Sequence, residues 1–444
     1  MTSLSVSMIV KDGGGHLQRC LQSILPLSPE IVIADTGSTD GSIAVAKEFG
    51  ARVVQIPWNN DFAEARNCAL SEARGQWILS LDADEQLDAA AASAIPRLLE
   101  STAVSGFQVT IRNYVRSRNE RIWDQSPKAN DSLLPSAAAY PAFIEHQNVR
   151  LFRRKPEIYF VGRVHESVGP RIRELNASLA TANFVIHHFG FVLKAAEKTR
   201  KNDSYREMGR QKLSEFPNDW QAHFEQGLLE LEQYKNLAEA RALFSRACAL
   251  NPAAGVAWFF LGLTIFRLGF YDEALHALDR AESAGHRTAM AAETRGDSQY
   301  NLGKFEEALV SYEVALNRQN GNSGVLAKLC LATVRAGKTE KGLLQLREAL
   351  AATPQVPELY ESVILALVFL NRIEEAAQVA DTKLRTIRGL CPGDYVRCAS
   401  LWAQSRNWPA STRALELGLA AHPGNSQLTR ALEEIFQASS STTH

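Results

Sequence analysis

Four small residues in the second half of the chain, Ala240, Ala274, Ala308 and Gly342, stand 34 positions apart. Two more series keep the same step: Ala247, Ala281, Ala315 and Ala349, and the bulkier Phe244, Leu278, Tyr312 and Leu346. Gly262 and Gly296 share one phase, and Pro252 and Pro354 share another. A fixed period of this length means a stack of like units, because one unit cannot bury its apolar face alone. Small residues let antiparallel helices cross closely, bulky ones fill the layer between units, and Pro marks the exit. The period predicts an all-α solenoid over residues 201–436, with a fifth unit at Leu359 to Lys383. A degenerate sixth unit from Tyr395 to His422 and a cap from Leu428 to Phe436 complete it. Residues 437–444, rich in Ser and Thr, are expected to be a disordered tail.

At 444 residues the chain needs more than one core, and residues 1–200 form a second kind of domain. Strand and helix signals alternate there. Leu4 to Val10, Glu30 to Ala34 and Arg52 to Ile56 read as strands, and His16 to Ile24, Ile43 to Phe49 and Asn67 to Ala73 as helices. Such alternation predicts β-α-β units and a parallel sheet. Lys194 to Glu215 reads as a helix with a solvated charged face that links the domains.

Within the first domain, Ile78-Leu79-Ser80-Leu81 runs straight into Asp82-Ala83-Asp84-Glu85. Residues i and i+2 leave a strand on the same side, and ligands bind at the carboxyl ends of strands in open α/β sheets. Two carboxylates in one crevice repel unless a cation lies between them, and hard oxygen ligands suit Mg²⁺ or Mn²⁺. Asp35-Thr36-Gly37-Ser38-Thr39-Asp40-Gly41-Ser42 is a polar turn at another strand end, facing the same crevice. A carboxylate there can accept from a base or a ribose, and a helix opening favours phosphate; Asp, Ser and Thr also suit an ordinary capped turn. The triple glycine at 13–15 is neither a dinucleotide fingerprint nor a P-loop.

Composition removes other classes. Lys plus Arg (48) balances Asp plus Glu (49), which argues against a nucleic-acid partner. No apolar run is long enough to span a bilayer, and the N-terminus begins as a strand without a basic leader. The six Cys show no C-x-x-C pair, so a reduced, cytoplasmic protein is expected.

Four motifs occur in order: Ser7-Met8-Ile9-Val10-Lys11, Asp35 to Ser42, Phe62-Ala63-Glu64-Ala65-Arg66-Asn67, and Leu79 to Glu85. In this order they resemble the family-2 glycosyltransferases of the GT-A fold. The resemblance extends to the bacterial branch with tetratricopeptide repeats behind the catalytic domain, including peptide S-glycosyltransferase-like members. It implies a Rossmann-like α/β domain that binds a nucleotide-sugar, followed by an all-α tetratricopeptide solenoid. It places Asp35 at the base or ribose, Arg66 and Asn67 on the diphosphate side, Asp82 near the ribose or metal, and Asp84 on the metal. The family's first turn has Lys-Asn-Glu where this chain has Lys11-Asp12-Gly13, so Asp12 is the remaining nucleotide contact there.

Val149-Arg150-Leu151-Phe152-Arg153 and Gly162-Arg163-Val164-His165-Glu166 resemble the family's later segments. An inverting transfer needs one base for the acceptor's proton, which makes Glu166 the candidate base and His165 its orienting or phosphate-contacting neighbour. His187-His188-Phe189-Gly190 resembles the His-x-Gly-aromatic close, which puts His188 at the Asp84 metal and leaves His187 in the core. Residues 106–140 read as a strand and an acceptor-side loop, with Arg112, Arg116, Arg118, Arg121, Tyr114 and Trp123. The implied function is transfer from a nucleotide-sugar, a UDP-sugar first, with a divalent Mn or Mg ion. The repeats imply a peptide or protein acceptor, or a homodimer. A degenerate nucleotide-sugar-binding scaffold is the alternative, and a nucleotidyltransferase a weaker third, since Lys11 to Gly15 supplies one Lys only.

Overall fold

The computed structural model describes residues 3–116, 127–164, 166–190, 195–319 and 322–441. By internal contacts the chain divides into Met1–Tyr234 and Lys235–His444.

The first unit opens with β1 (Leu4–Val10), α1 (Gly14–Ile24), β2 (Glu30–Asp35), α2 (Ser42–Glu48), β3 (Arg52–Gln55), α3 (Phe62–Glu72) and β4 (Trp77–Ser80). Then come β5 (Glu85–Leu87), α4 (Ala89–Leu99), β6 (Gly106–Val115), β7 (Lys128–Ala129), β8 (Ala142–Arg153), α5 (Gly169–Glu174) and β9 (Leu179–His188). Two helices, α6 (Ala195–Glu215) and α7 (Trp220–Leu229), complete the unit. The strands form one sheet in the order β3-β2-β1-β4-β8-β6-β9-β5, with β7 beside β8.

The expected parallel sheet is confined to β1, β2, β3 and β4. Beyond β4 the sheet is mixed: β8 runs antiparallel to β4 and β6, and β9 runs parallel to β6 and antiparallel to β5. The physical reason lies in the connections. No α-helix stands between β6 and β8 among the described residues, and antiparallel neighbours need no crossover helix.

The core explains why β4 is apolar on both faces. Leu79 packs with Leu17, Leu21 and Ile95 of α1 and α4, while its neighbour Ile78 packs with Ala69, Leu70 and Ile172 of α3 and α5. Successive strand residues face opposite ways, so a strand covered on both sides must be apolar throughout. Trp77 is fully buried, donates from its indole nitrogen to Leu99 O at 3.0 Å and carries the Arg153 guanidinium 4.5 Å from its ring. α3 begins at Phe62, five residues ahead of the expected Asn67, because the Asp61 side chain caps it by accepting from Glu64 N at 2.9 Å.

In the second unit, α8 (Leu237–Leu250) is followed by the pairs α9 (Gly255–Arg267) and α10 (Tyr271–Ser283), and α11 (Ala289–Asn301) and α12 (Phe305–Arg318). The pairs α13 (Ser323–Arg335) and α14 (Thr339–Ala352), and α15 (Pro357–Phe369) and α16 (Ile373–Thr386), repeat the plan. The last are α17 (Pro392–Gln404), α18 (Trp408–Ala421) and the capping α19 (Ser426–Ser441). The small positions are where the period requires them: a Cβ on Gly296 would stand 2.7 Å from the Tyr312 ring. The expected disordered tail is corrected in part. Helix α19 runs to Ser441, and residues 442–444 lie outside the described residues. Among the described residues no helix is long and apolar enough to cross a membrane.

Candidate active site

The carboxyl ends of β1 and β4 open into a cavity of about 900 Å³. Asp12, Arg66, Asp82, Asp84, Glu166 and His188 all line it. Six expected site residues, drawn from five separate segments, are thus brought together. Asp35 and Asn67 are not among the lining residues. Asp35 is 1% exposed, and its Oδ1 accepts from Gly37 N and Ser38 N at 3.1 and 3.0 Å, so it shapes the turn after β2. Asn67 spends its amide on the Phe160 backbone: Nδ2 donates to Phe160 O at 2.9 Å, and Oδ1 accepts from Phe160 N at 2.8 Å. His165 lies outside the described residues, as do Arg118, Arg121 and Trp123.

The altered first turn is well held. Asp12 adopts φ 50°, and its Oδ1 accepts from Thr39 N at 2.7 Å, Thr39 Oγ1 at 3.2 Å and Asp40 N at 3.2 Å. Asp40 in turn accepts from Gly14 N at 3.0 Å. The turns after β1 and β2 are therefore laced into one rim.

Sheet register brings Asp84 and His188 together. β5 and β9 pair with Glu85 opposite His188, and the Phe189 N–H donates to Asp84 O at 3.0 Å. On the other side Asn113 of β6 lies beside His188, with Asn113 Oδ1 2.7 Å from His188 Nδ1. The amide oxygen can only accept, so Nδ1 carries the proton and Nε2 faces Asp84, 3.5 Å from its Oδ2. Burial opposes charge on His188, but Asp84 outweighs it and holds the imidazole above its ordinary value.

A carboxylate oxygen and an oriented imidazole nitrogen form a donor set that fits a divalent ion such as Mn²⁺. Among the described residues no third His, Cys, Asp or Glu joins them, so a diphosphate and water would complete the shell. Gly190 gives a further test of the fit. A Cβ there would lie 2.6 Å from His188 Nε2 and closer still to Asp84 Oδ2. Gly190→Ala is accordingly expected to weaken metal-dependent nucleotide binding by about 10- to 100-fold, with the helical and strand signal unchanged. Calorimetric titration with and without EDTA measures it, and wild-type affinity in the variant would remove Asp84 and His188 as a pair.

Below the rim lies a buried chain of alternating charges. Arg66 donates from Nε to Glu166 at 2.5 Å and from NH2 to Asp82 at 2.6 Å. Arg150 lies 3.3 Å from the other oxygen of Asp82 and 2.8 Å from Glu85. Burial alone would raise Asp82, but Arg66 and Arg150 hold it far below the carboxylate range. Burial pushes Glu85 up to about 7 despite Arg150, with Asp82 adding to the rise. Burial, then Arg150 and His188, push His146 down to about 4, which leaves a neutral imidazole on the cavity wall near pH 7. Stripping one partner from such a network strands a buried charge, at a cost of roughly 3–5 kcal/mol.

Sequence reasoning assigned no role to Arg150, Glu85, Asn113 or His146. The one available signal was Arg150 itself, a cation set between the apolar Val149 and Leu151.

Residues 5–159 match the family described as glycosyl transferase family 2, and residues 195–255 and 258–323 match the tetratricopeptide repeat. The first unit carries a family 2 glycosyl transferase domain. A TPR repeat-containing protein of Synechococcus elongatus is 31% identical over 225 residues, 49% of this chain and 50% of that protein. The lipopolysaccharide core biosynthesis glycosyltransferase LpsC of Rhizobium meliloti is 29% identical over 209 residues, 46% of this chain and 68% of LpsC. The SPbeta prophage-derived glycosyltransferase SunS of Bacillus subtilis is 23% identical over 208 residues, 45% of this chain and 43% of SunS. The chain spans about half the length of the first of these relatives. The transferase domain and the repeats are thus the two parts that the sequence led one to expect. The repeat match begins inside α6, which the contacts group with the transferase domain.

Proposed function

We propose that the protein is an inverting, metal-dependent glycosyltransferase that moves a sugar from a nucleotide-sugar, a UDP-sugar first, to an acceptor hydroxyl or thiol. The observation that carries this reading is the meeting of Asp84, His188 and Glu166 on one cavity at the strand ends of a family 2 domain.

Asp84 Oδ2 and His188 Nε2 would hold a Mn²⁺ or Mg²⁺ ion, with Asn113 keeping the imidazole in the ligating tautomer. When bound, that ion supplies charge to offset the departing diphosphate. Asp12 and the turn it laces form the nucleoside side of the rim, with Asp35 beneath shaping the turn. Arg66 fixes Glu166 through Nε and Asp82 through NH2, so it acts as a strut between them. Glu166 takes the proton from the acceptor's O–H or S–H, and the acceptor atom bonds to the anomeric carbon. The bond from that carbon to the diphosphate oxygen breaks, and its electron pair leaves with the nucleotide. One base and a single displacement give inversion.

The tetratricopeptide solenoid supports docking of a peptide or protein as the molecule that carries the acceptor. The experiment that tests the reading is calorimetric titration of the full chain with UDP, GDP and their sugars, with Mn²⁺ or with EDTA. Metal-dependent binding of one nucleotide, followed by slow release of its sugar to water, is expected. A folded protein that binds none of them would be a scaffold acting through its repeats.

A further inference from the structure

One wall of the cavity is aromatic, and the proposed chemistry gives it no role. Trp58 and Phe62 meet edge to face with centroids 4.8 Å apart, and Phe62 stacks on Tyr205 at 5.7 Å. All three rings are half-buried and all three line the cavity. Tyr205 belongs to α6, beyond the sheet, and Met208 of the same helix lines the cavity with it.

The wall is built on the loop that delivers Glu166. Phe62 N donates to Arg163 O at 3.0 Å. Arg163 is held by both oxygens of Glu215, at 2.8 Å each, and lies 3.6 Å from Asp61. Glu215 ends the helix that carries Tyr205, and Asp61 caps the helix that carries Phe62. Phe62 also sits one helical turn before Arg66, the residue bonded to Glu166. The rings therefore stand on the segments that carry Arg163 and Arg66, the latter bonded to the proposed base, whereas the proposed metal-ligating pair comes from β9 and the β4–β5 turn.

We infer that Trp58, Phe62 and Tyr205 form the acceptor subsite and that it takes a saccharide ring. This rests on the transferase reading and deepens it. An aromatic face packs against the C–H groups of a pyranose, and the hydroxylated edge of that ring needs polar neighbours. Asn148 and His146 line the same cavity and supply them. A wholly apolar acceptor would strip water from both polar side chains and offer them nothing in exchange.

Ligand-observed NMR on the full chain tests the inference, with the methyl glycosides of glucose, galactose and N-acetylglucosamine and a Gly-Tyr-Gly amide as probes. Binding of at least one glycoside is expected, weakened about tenfold by Trp58→Ala and by Tyr205→Ala and retained by Tyr205→Phe. UDP-sugar affinity, measured beside it, should move less than about twofold. Binding of the tripeptide amide alone, or of no glycoside, overturns the inference, and so does a glycoside affinity indifferent to both alanine variants. A loss of nucleotide affinity in these variants overturns it too, because the wall would then belong to the donor base. If the folded wild-type chain binds glycosides but no nucleotide-sugar, the transferase reading falls and the ring subsite stands as a binding site.

Discussion

Asp84→Ala should lower sugar transfer by about 10³-fold or more. It should also abolish the part of nucleotide binding that EDTA removes. Asp84 meets His188 Nε2 at 3.5 Å, and no third protein ligand joins them among the described residues, so losing one leaves a lone imidazole. One imidazole does not hold Mn²⁺ or Mg²⁺, for which carboxylate oxygen is the better ligand. The variant should fold, because the Asp84 side chain is 27% exposed and its backbone carbonyl, which Phe189 needs, is kept. Radiolabel transfer and calorimetry with and without metal give the two readouts. Full activity in the variant would end the metal assignment.

Glu166→Gln should lose about 10²- to 10⁴-fold in transfer with nucleotide affinity retained. The amide oxygen of Gln can still accept from Arg66 Nε, so the strut between Glu166 and Asp82 survives the exchange. The exchange removes the ability to take a proton and one of the two negative charges on Arg66, which keeps Asp82 as its counter-charge. A drop in turnover with unchanged nucleotide titration separates a lost base from a collapsed site. Unchanged turnover would remove Glu166 as the base.

Much of this was legible in the sequence, and the parts that were not share a cause. Strand ends and helix spacing placed β1 to β4 within a residue or two, and the 34-residue step gave the solenoid its small and bulky positions. The true start of α3 was visible as well, in Asp61 three residues before Glu64. Direction was less readable. Arg66 and Asn67 are adjacent on one helix, yet the first faces the cavity and the second is spent on the Phe160 backbone. A helix turns its neighbours about 100° apart, so a motif cannot say which of two polar residues is the functional one. Asp35 likewise has a motif position and a turn-building one, and its bonds to Gly37 and Ser38 serve the turn. Asn113 and Arg150 were missed because their use depends on β6 and β8 lying next to β9 and β4, a pairing that no local pattern encodes.

The position of Tyr205 bears on how this chain can be cut and recombined. A chain truncated after β9 would keep every strand and every residue named in the chemistry, yet lack the ring that stacks on Phe62 and the carboxylate that holds Arg163. The unit that holds the cavity therefore ends no earlier than Glu215, and a chimera that exchanges the repeats should be spliced after that helix rather than before it. What looks in the linear sequence like a tether is part of the cavity's own wall.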